Sequence, residues 1–137
     1  MSIYEDIVEY IKSGETKNKK LGLEIEHFVV DDEGKHITFD KVVPLIEEVA
    51  YGIGAKPLYA DGHVVGYVAD EYVVTLEPAC QFEISINPYE DIEDIERVYK
   101  DFRKLWDKVF EENGYHIETA GVLPAVEEDT ITSCDWF

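Results

Sequence analysis

Four carboxylates in this sequence, Glu24, Glu26, Glu77 and Glu83, stand at spacings that place them on one surface, with Gln81 among them. Side chains alternate across a β-strand, so residues i and i+2 point the same way. In Leu21–Val30 one face takes Leu21, Leu23, Ile25, His27 and Val29, and the other takes Gly22, Glu24, Glu26 and Phe28. In Cys80–Ile86 one face takes Cys80, Phe82, Ile84 and Ile86, and Gln81, Glu83 and Ser85 take the other. Thr75 and Glu77 share a face at the end of Tyr72–Glu77. With the apolar faces turned toward helices, the second face of the sheet collects Glu24, Glu26, Glu77, Glu83 and Gln81.

Like charges side by side on a sheet destabilise one another by about 0.2–1 kcal/mol per pair. No lysine or arginine lies between Pro57 and Arg97 to offset them. Two outcomes follow: raised carboxylate pKa values, or bound divalent cations. An oxygen-only donor set suits magnesium or manganese, whereas zinc favours imidazole and thiolate. Such cations hold nucleotide phosphates and offset charge during phosphoryl transfer. The ordinary alternative is a solvated acidic face on a half-exposed sheet. Separate strands each placing carboxylates on the non-apolar face, without counter-charges, bring the metal site level with that alternative, and pattern alone leaves both open.

Other residues carry weaker signals. His27, His36, His63 and His116 have no ligand spacing between them, and His27 falls on an apolar face, as a structural histidine would. Cys80 also lies on an apolar face, with nothing nearby to complete a nucleophile pair. Gly52 and Gly54 end a helix and do not open one after a strand, so they make no phosphate loop. The acidic run Glu90–Glu96 suits a helix N-terminus, where the dipole favours negative charge.

The elements that position these residues can be read from periodicity. Ser2 and Glu5 form a capping box ahead of the stripe Ile3, Ile7, Val8 and Ile11, and Gly14 stops that helix. After the strand Leu21–Val30, Asp31–Gly34 reads as a turn and His36–Phe39 as a short strand. Asp40 is expected to cap a second helix carrying Val42, Val43, Leu45, Ile46, Val49 and Ala50, with Pro44 in its first turn. Asp61-Gly62 predicts a hairpin between Leu58–Ala60 and His63–Ala69, and Asp70-Glu71 a second reversal. Asn87-Pro88 is expected to open the clearest helix, whose core face holds Ile92, Ile95, Val98 or Tyr99, Phe102, Leu105 or Trp106, and Val109 or Phe110, and which ends at Asn113-Gly114. Tyr115–Leu123 reads as a last strand. Strands joined by hairpins, with helices before and after, argue an α+β fold: a mainly antiparallel sheet with helices on one face.

The 137 residues suit a single domain, 1–137, and 45% apolar and 12% aromatic residues can build a core. With 31 acidic against 12 basic side chains the formal charge is −19, which disfavours nucleic acid and anionic membrane surfaces as partners. Cys80 and Cys134 are too few for a disulfide framework. No apolar run approaches a membrane span, and the N-terminus lacks a signal-peptide pattern, so a cytoplasmic location is expected. Pro124–Phe137 shows no period and is expected to be a poorly ordered or incomplete tail, the chain being the first part of something longer.

Two stretches are more specific. Leu21-Gly22-Leu23-Glu24-Ile25-Glu26-His27-Phe28 resembles the early G-x-E-x-E-x-F strand of glutamate–cysteine ligases. Thr75-Leu76-Glu77-Pro78-Ala79-Cys80-Gln81-Phe82-Glu83-Ile84-Ser85 is similar to the TLEPGGQFELS segment of the plant-type branch of that family. Their order and distance also fit, and together they cover the family's N-terminal region. The resemblance implies a glutamine-synthetase-like fold whose concave sheet face holds magnesium, ATP and glutamate. It implies activation of the glutamate γ-carboxyl as an acyl phosphate, then attack by the cysteine amine, the first step toward glutathione. Glu24, Glu26, Glu77 and Glu83 match carboxylates that coordinate magnesium in the family, and Gln81 lies on their face as a cofactor-side residue.

Ala79-Cys80 replaces the family's Gly-Gly, which is expected to narrow a ligand pocket. Family enzymes also continue well past this length, and basic groups that steady the transferred phosphoryl are not evident here. The chain by itself is therefore expected to be inactive, forming no γ-glutamylcysteine. The alternative is a stand-alone acidic domain that binds divalent cations or a basic protein without catalysis. Exposed sheet edges and apolar surface also suggest a homo-oligomer.

Overall fold

A computed structural model describes residues 2–119. The order is α1 (Ile3–Ser13), β1 (Leu21–Asp31), α2 (Phe39–Gly52), β2 (Lys56–Ala60), β3 (His63–Val68), β4 (Tyr72–Glu77), β5 (Gln81–Tyr89), α3 (Ile92–Glu112) and β6 (Tyr115–Thr119). The strands form one antiparallel sheet in the order β2-β3-β4-β5-β1-β6. The expected α+β class with a mainly antiparallel sheet holds.

α2 and α3 cover one face of that sheet. The periodicity of α3 buries Ile95, Val98, Phe102, Trp106 and Phe110, and that of α2 buries Val42, Leu45, Ile46, Val49 and Ala50. These side chains meet Tyr67, Val74, Leu76, Phe82, Ile84 and Ile86 from the sheet. Phe82 stacks on Trp106, ring centroids 5.8 Å apart, and the Trp106 indole N–H donates to Tyr72 at 3.1 Å. Burying an aromatic indole is favourable only when its N–H finds a partner, which Tyr72 supplies.

Several boundaries differ from expectation. Asn87-Pro88 does not open α3. Both residues extend β5, and Asp91 is the N-cap. Proline is tolerated there because a bulge against β1 interrupts the ladder and no N–H is required. The expected strand His36–Phe39 shrinks to a single bridge between Val30 and His36, and Phe39 already belongs to α2. Thr38 is the N-cap of α2 in place of Asp40; its hydroxyl is engaged by the Asp40 carboxylate. Cys80 does not begin β5. It closes a single 3-10 turn, Pro78–Cys80, and β5 starts at Gln81.

The capping box forms as expected, Ser2 N–H donating to Glu5 at 2.8 Å. The apolar stripe of α1 is not part of the core. Ile3, Tyr4, Ile7, Tyr10 and Ile11 are all exposed, so among the described helices α2 and α3 alone cover the sheet. Among the described residues no helix is long and apolar enough to cross a membrane. The expectations for 120–123 and for the tail Pro124–Phe137 lie outside the described residues.

Candidate functional site

Strand pairing brings the carboxylates together. Glu26 lies directly opposite Glu83, Thr75 faces Glu83 from the other side, Glu24 pairs with Ser85, and Glu77 pairs with Gln81. Glu83 is thus central. Glu26 is its direct cross-strand neighbour, while Glu24 and Glu77 occupy diagonal positions on the flanking strands. Directly opposed residues have Cβ atoms about 4.5–5.5 Å apart, and diagonal ones about 7–8 Å. All five residues singled out in the sequence therefore share the face turned away from α2 and α3.

The electrostatics reflect this crowding. Partial burial pushes the Glu83 carboxyl above its usual range, and the charges of Glu24, Glu77 and Glu26 push the same way. Ser85 works against the shift, donating to Glu83 Oε1 at 3.1 Å. Thr75 donates to Glu77 Oε1 at 3.1 Å. Gln81 Oε1 is buried with no hydrogen-bond partner among the described residues.

Three basic side chains of α3 are committed elsewhere. Arg97 forks onto Glu71 at 2.8 and 3.3 Å, and Tyr89 donates to the same carboxylate at 2.9 Å. Arg103 binds Asp107 and the carbonyl of Ile117, and Lys100 pairs with Glu96. The interactions of these three cations leave the glutamates of the sheet without them.

One margin of the face is closed by a part of the chain that sequence reasoning passes over. Phe28 belongs to the glutamate face by alternation yet is buried, beneath the loop that carries His36. His36 Nε2–H donates to the carbonyl of Ala79 at 3.2 Å, which fixes the turn between Glu77 and Gln81. Both Ala79 and Cys80 have left-handed backbone there, with φ of 59° and 60°. No spacing in the sequence links positions 36 and 79; pairing of the His36 segment against β1 brings them together. His27 lies on the opposite, apolar face, stacked on Phe82 with its Nε2 3.1 Å from the Tyr99 hydroxyl. Its place is structural.

Among the described residues no three His, Cys, Asp or Glu side chains form a ready-made cation cage. The donor set on the face is nevertheless all oxygen, which is the chemistry of magnesium and manganese ligation. No family model matches the chain, and no curated protein does.

Proposed function

We propose that the carboxylate face is one wall of a divalent-cation site in an ATP-dependent carboxylate–amine ligase. In this reading Glu24, Glu26, Glu77 and Glu83 hold magnesium or manganese, and Gln81 contacts the cation-bound ligand. The reaction joins the glutamate γ-carboxyl to the amine of cysteine through an acyl phosphate, with ATP as phosphoryl donor. The observation that carries it is the register of Glu26 against Glu83, flanked by Glu24 and Glu77, with no basic counter-charge acting on Glu83 among the described residues. Its support is the agreement between that geometry and the two ligase-like segments, which meet as neighbouring strands.

The cation would supply what the glutamates cannot: positive charge for phosphate oxygens. The residues themselves orient it. Ser85 and Thr75 hold Glu83 and Glu77 by hydrogen bonds, and the buried oxygen of Gln81 is an acceptor awaiting a donor.

Thermal melts test this reading. A cation that binds only the folded state at a hundred times its Kd stabilises by about 2.7 kcal/mol, so manganese should raise the Tm by several degrees. Glu24→Gln combined with Glu83→Gln should abolish that response while raising the metal-free Tm. ATP should add at most a small increment in the presence of manganese, because basic groups that steady its phosphates are not evident in the chain. An undiminished manganese response in the double variant would remove this face as the site. A clear ATP increment in the presence of manganese would favour the ligase reading over a stand-alone cation-binding domain.

A further inference from the structure

The apolar stripe of α1 reads the same in both directions. Ile7 is its middle, Tyr4 and Tyr10 stand three residues to either side, and Ile3 and Ile11 four residues to either side. Helical geometry gathers these five on an arc of about 120°, with Glu5 and Glu9 on the opposite side. All five are between 52% and 81% exposed, and α1 has no buried residue.

A two-fold interface uses the same patch on both copies, so a residue that meets a second is met by it in return. Two α1 helices laid antiparallel with Ile7 on the axis set Ile3 against Ile11 of the second copy, Tyr4 against Tyr10, and Ile7 against itself. Charge selects this direction over the parallel one. Glu5, Asp6 and Glu9 lie in the first two turns, while Lys12, Lys17, Lys19 and Lys20 lie in the last turn and the loop after it. Antiparallel pairing brings the acidic end of each helix to the basic end of the other and opposes the two helix dipoles, whereas parallel pairing would set like against like. Residues 1–20 carry four acidic and four basic side chains, so the whole formal charge of −19 belongs to residues 21–137. Copies that repel one another elsewhere can approach here. The isoleucines and tyrosines of both helices offer about 1,000 Å² for burial, the low end of specific interfaces, which fits a reversible dimer with a micromolar Kd.

We propose that α1 is a homodimerisation helix, its exposed Ile-Tyr face packing antiparallel against α1 of a second copy about a two-fold axis at Ile7. This pairing needs neither the cation site nor the ligase reading.

Sedimentation velocity on the full chain, from a few micromolar to several hundred micromolar, tests it. The mass should rise with concentration from one copy toward two. Ile7→Glu places two carboxylates on the axis and should keep the protein monomeric throughout. Ile7→Leu should retain the dimer, and Glu33→Gln, in the turn after β1, should dimerise as the parent does. Orientation is read by cross-linking. Helices packed in this way lie about 8–10 Å apart, close enough for a disulfide between facing positions. Ile3→Cys and Ile11→Cys proteins, both in a Cys134→Ser background, should therefore form a mixed disulfide on mild oxidation faster than either pairs with itself. A monomer at every concentration, a dimer that Ile7→Glu leaves intact, or faster pairing of each cysteine variant with itself would overturn the proposal. So would a lowered Tm of Ile7→Glu at concentrations where the parent is monomeric, since the stripe would then be covered within a single copy.

Discussion

Ala79 and Cys80 hold a backbone conformation that L-residues adopt at a cost of about 1–2 kcal/mol each. The His36 bond to the Ala79 carbonyl and the burial of Cys80 hold the turn in place. Ala79→Gly should therefore stabilise the protein by about 0.5–1 kcal/mol, the relief of strain being partly offset by a freer unfolded chain. Denaturant melts check this, and a destabilised variant would show that the Ala79 methyl has a packing role. His27 behaves differently. Burial, with the Arg103 charge adding to it, lowers its pKa from 6.5 to about 4. On acidification the unfolded chain takes up this proton first, so stability is full above about pH 6.5 and falls as the pH drops toward 4. The loss amounts to as much as about 3 kcal/mol. His27→Phe should flatten that part of the acid profile, and the stability difference between parent and variant should shrink as the pH falls. An unchanged profile would mean that His27 does not govern acid sensitivity.

Among the glycines described, Gly66, between β3 and β4, leaves the least room for a side chain. A Cβ at Gly66 would come within 2.4 Å of the Val74 carbonyl oxygen and 3.2 Å of the Thr75 Cα, and backbone cannot move aside as a flexible side chain can. Gly66→Ala should therefore cost about 2–4 kcal/mol by parting the strands, a size confined to a few mechanisms of which backbone clash is one. A loss below about 0.5 kcal/mol would mean the strand pair shifts freely. Thr75 lies directly opposite Gly66 and next to Glu83, so the same variant should also weaken any manganese response. Helix α3 was legible in sequence because its apolar spacing persists over several turns. Its start was misplaced by Asn87-Pro88, since a proline near a helix start and a proline in a bulged strand look alike locally.

For the whole molecule, a charge of −19 on 137 residues means that self-repulsion opposes compaction. Raising ionic strength from about 0.01 to 0.15 M shortens the Debye length from about 30 to 8 Å. Sodium chloride over that range should raise the Tm, and the increase should be smaller in the Glu24→Gln, Glu83→Gln double variant, which carries less of the crowded charge. A Tm that falls with salt would show that ion pairs such as Arg97–Glu71 outweigh the repulsion.

Strand alternation alone assigned Glu24, Glu26, Glu77, Glu83 and Gln81 to one face, because the period of two is a local property that any pairing must respect. The helical stripes of α2 and α3 and the hairpin at Asp61-Gly62, both residues with positive φ, were legible for the same reason. Register was not. That Glu26 meets Glu83, that two residues of β5 oppose Gly22, and that His36 reaches Ala79 are long-range facts. The amphipathic pattern of α1 likewise predicted a packed helix, yet a stripe states only that a partner would be favourable, not that one is in reach. Local chemistry set which faces the residues occupy; tertiary pairing decided which of them are neighbours.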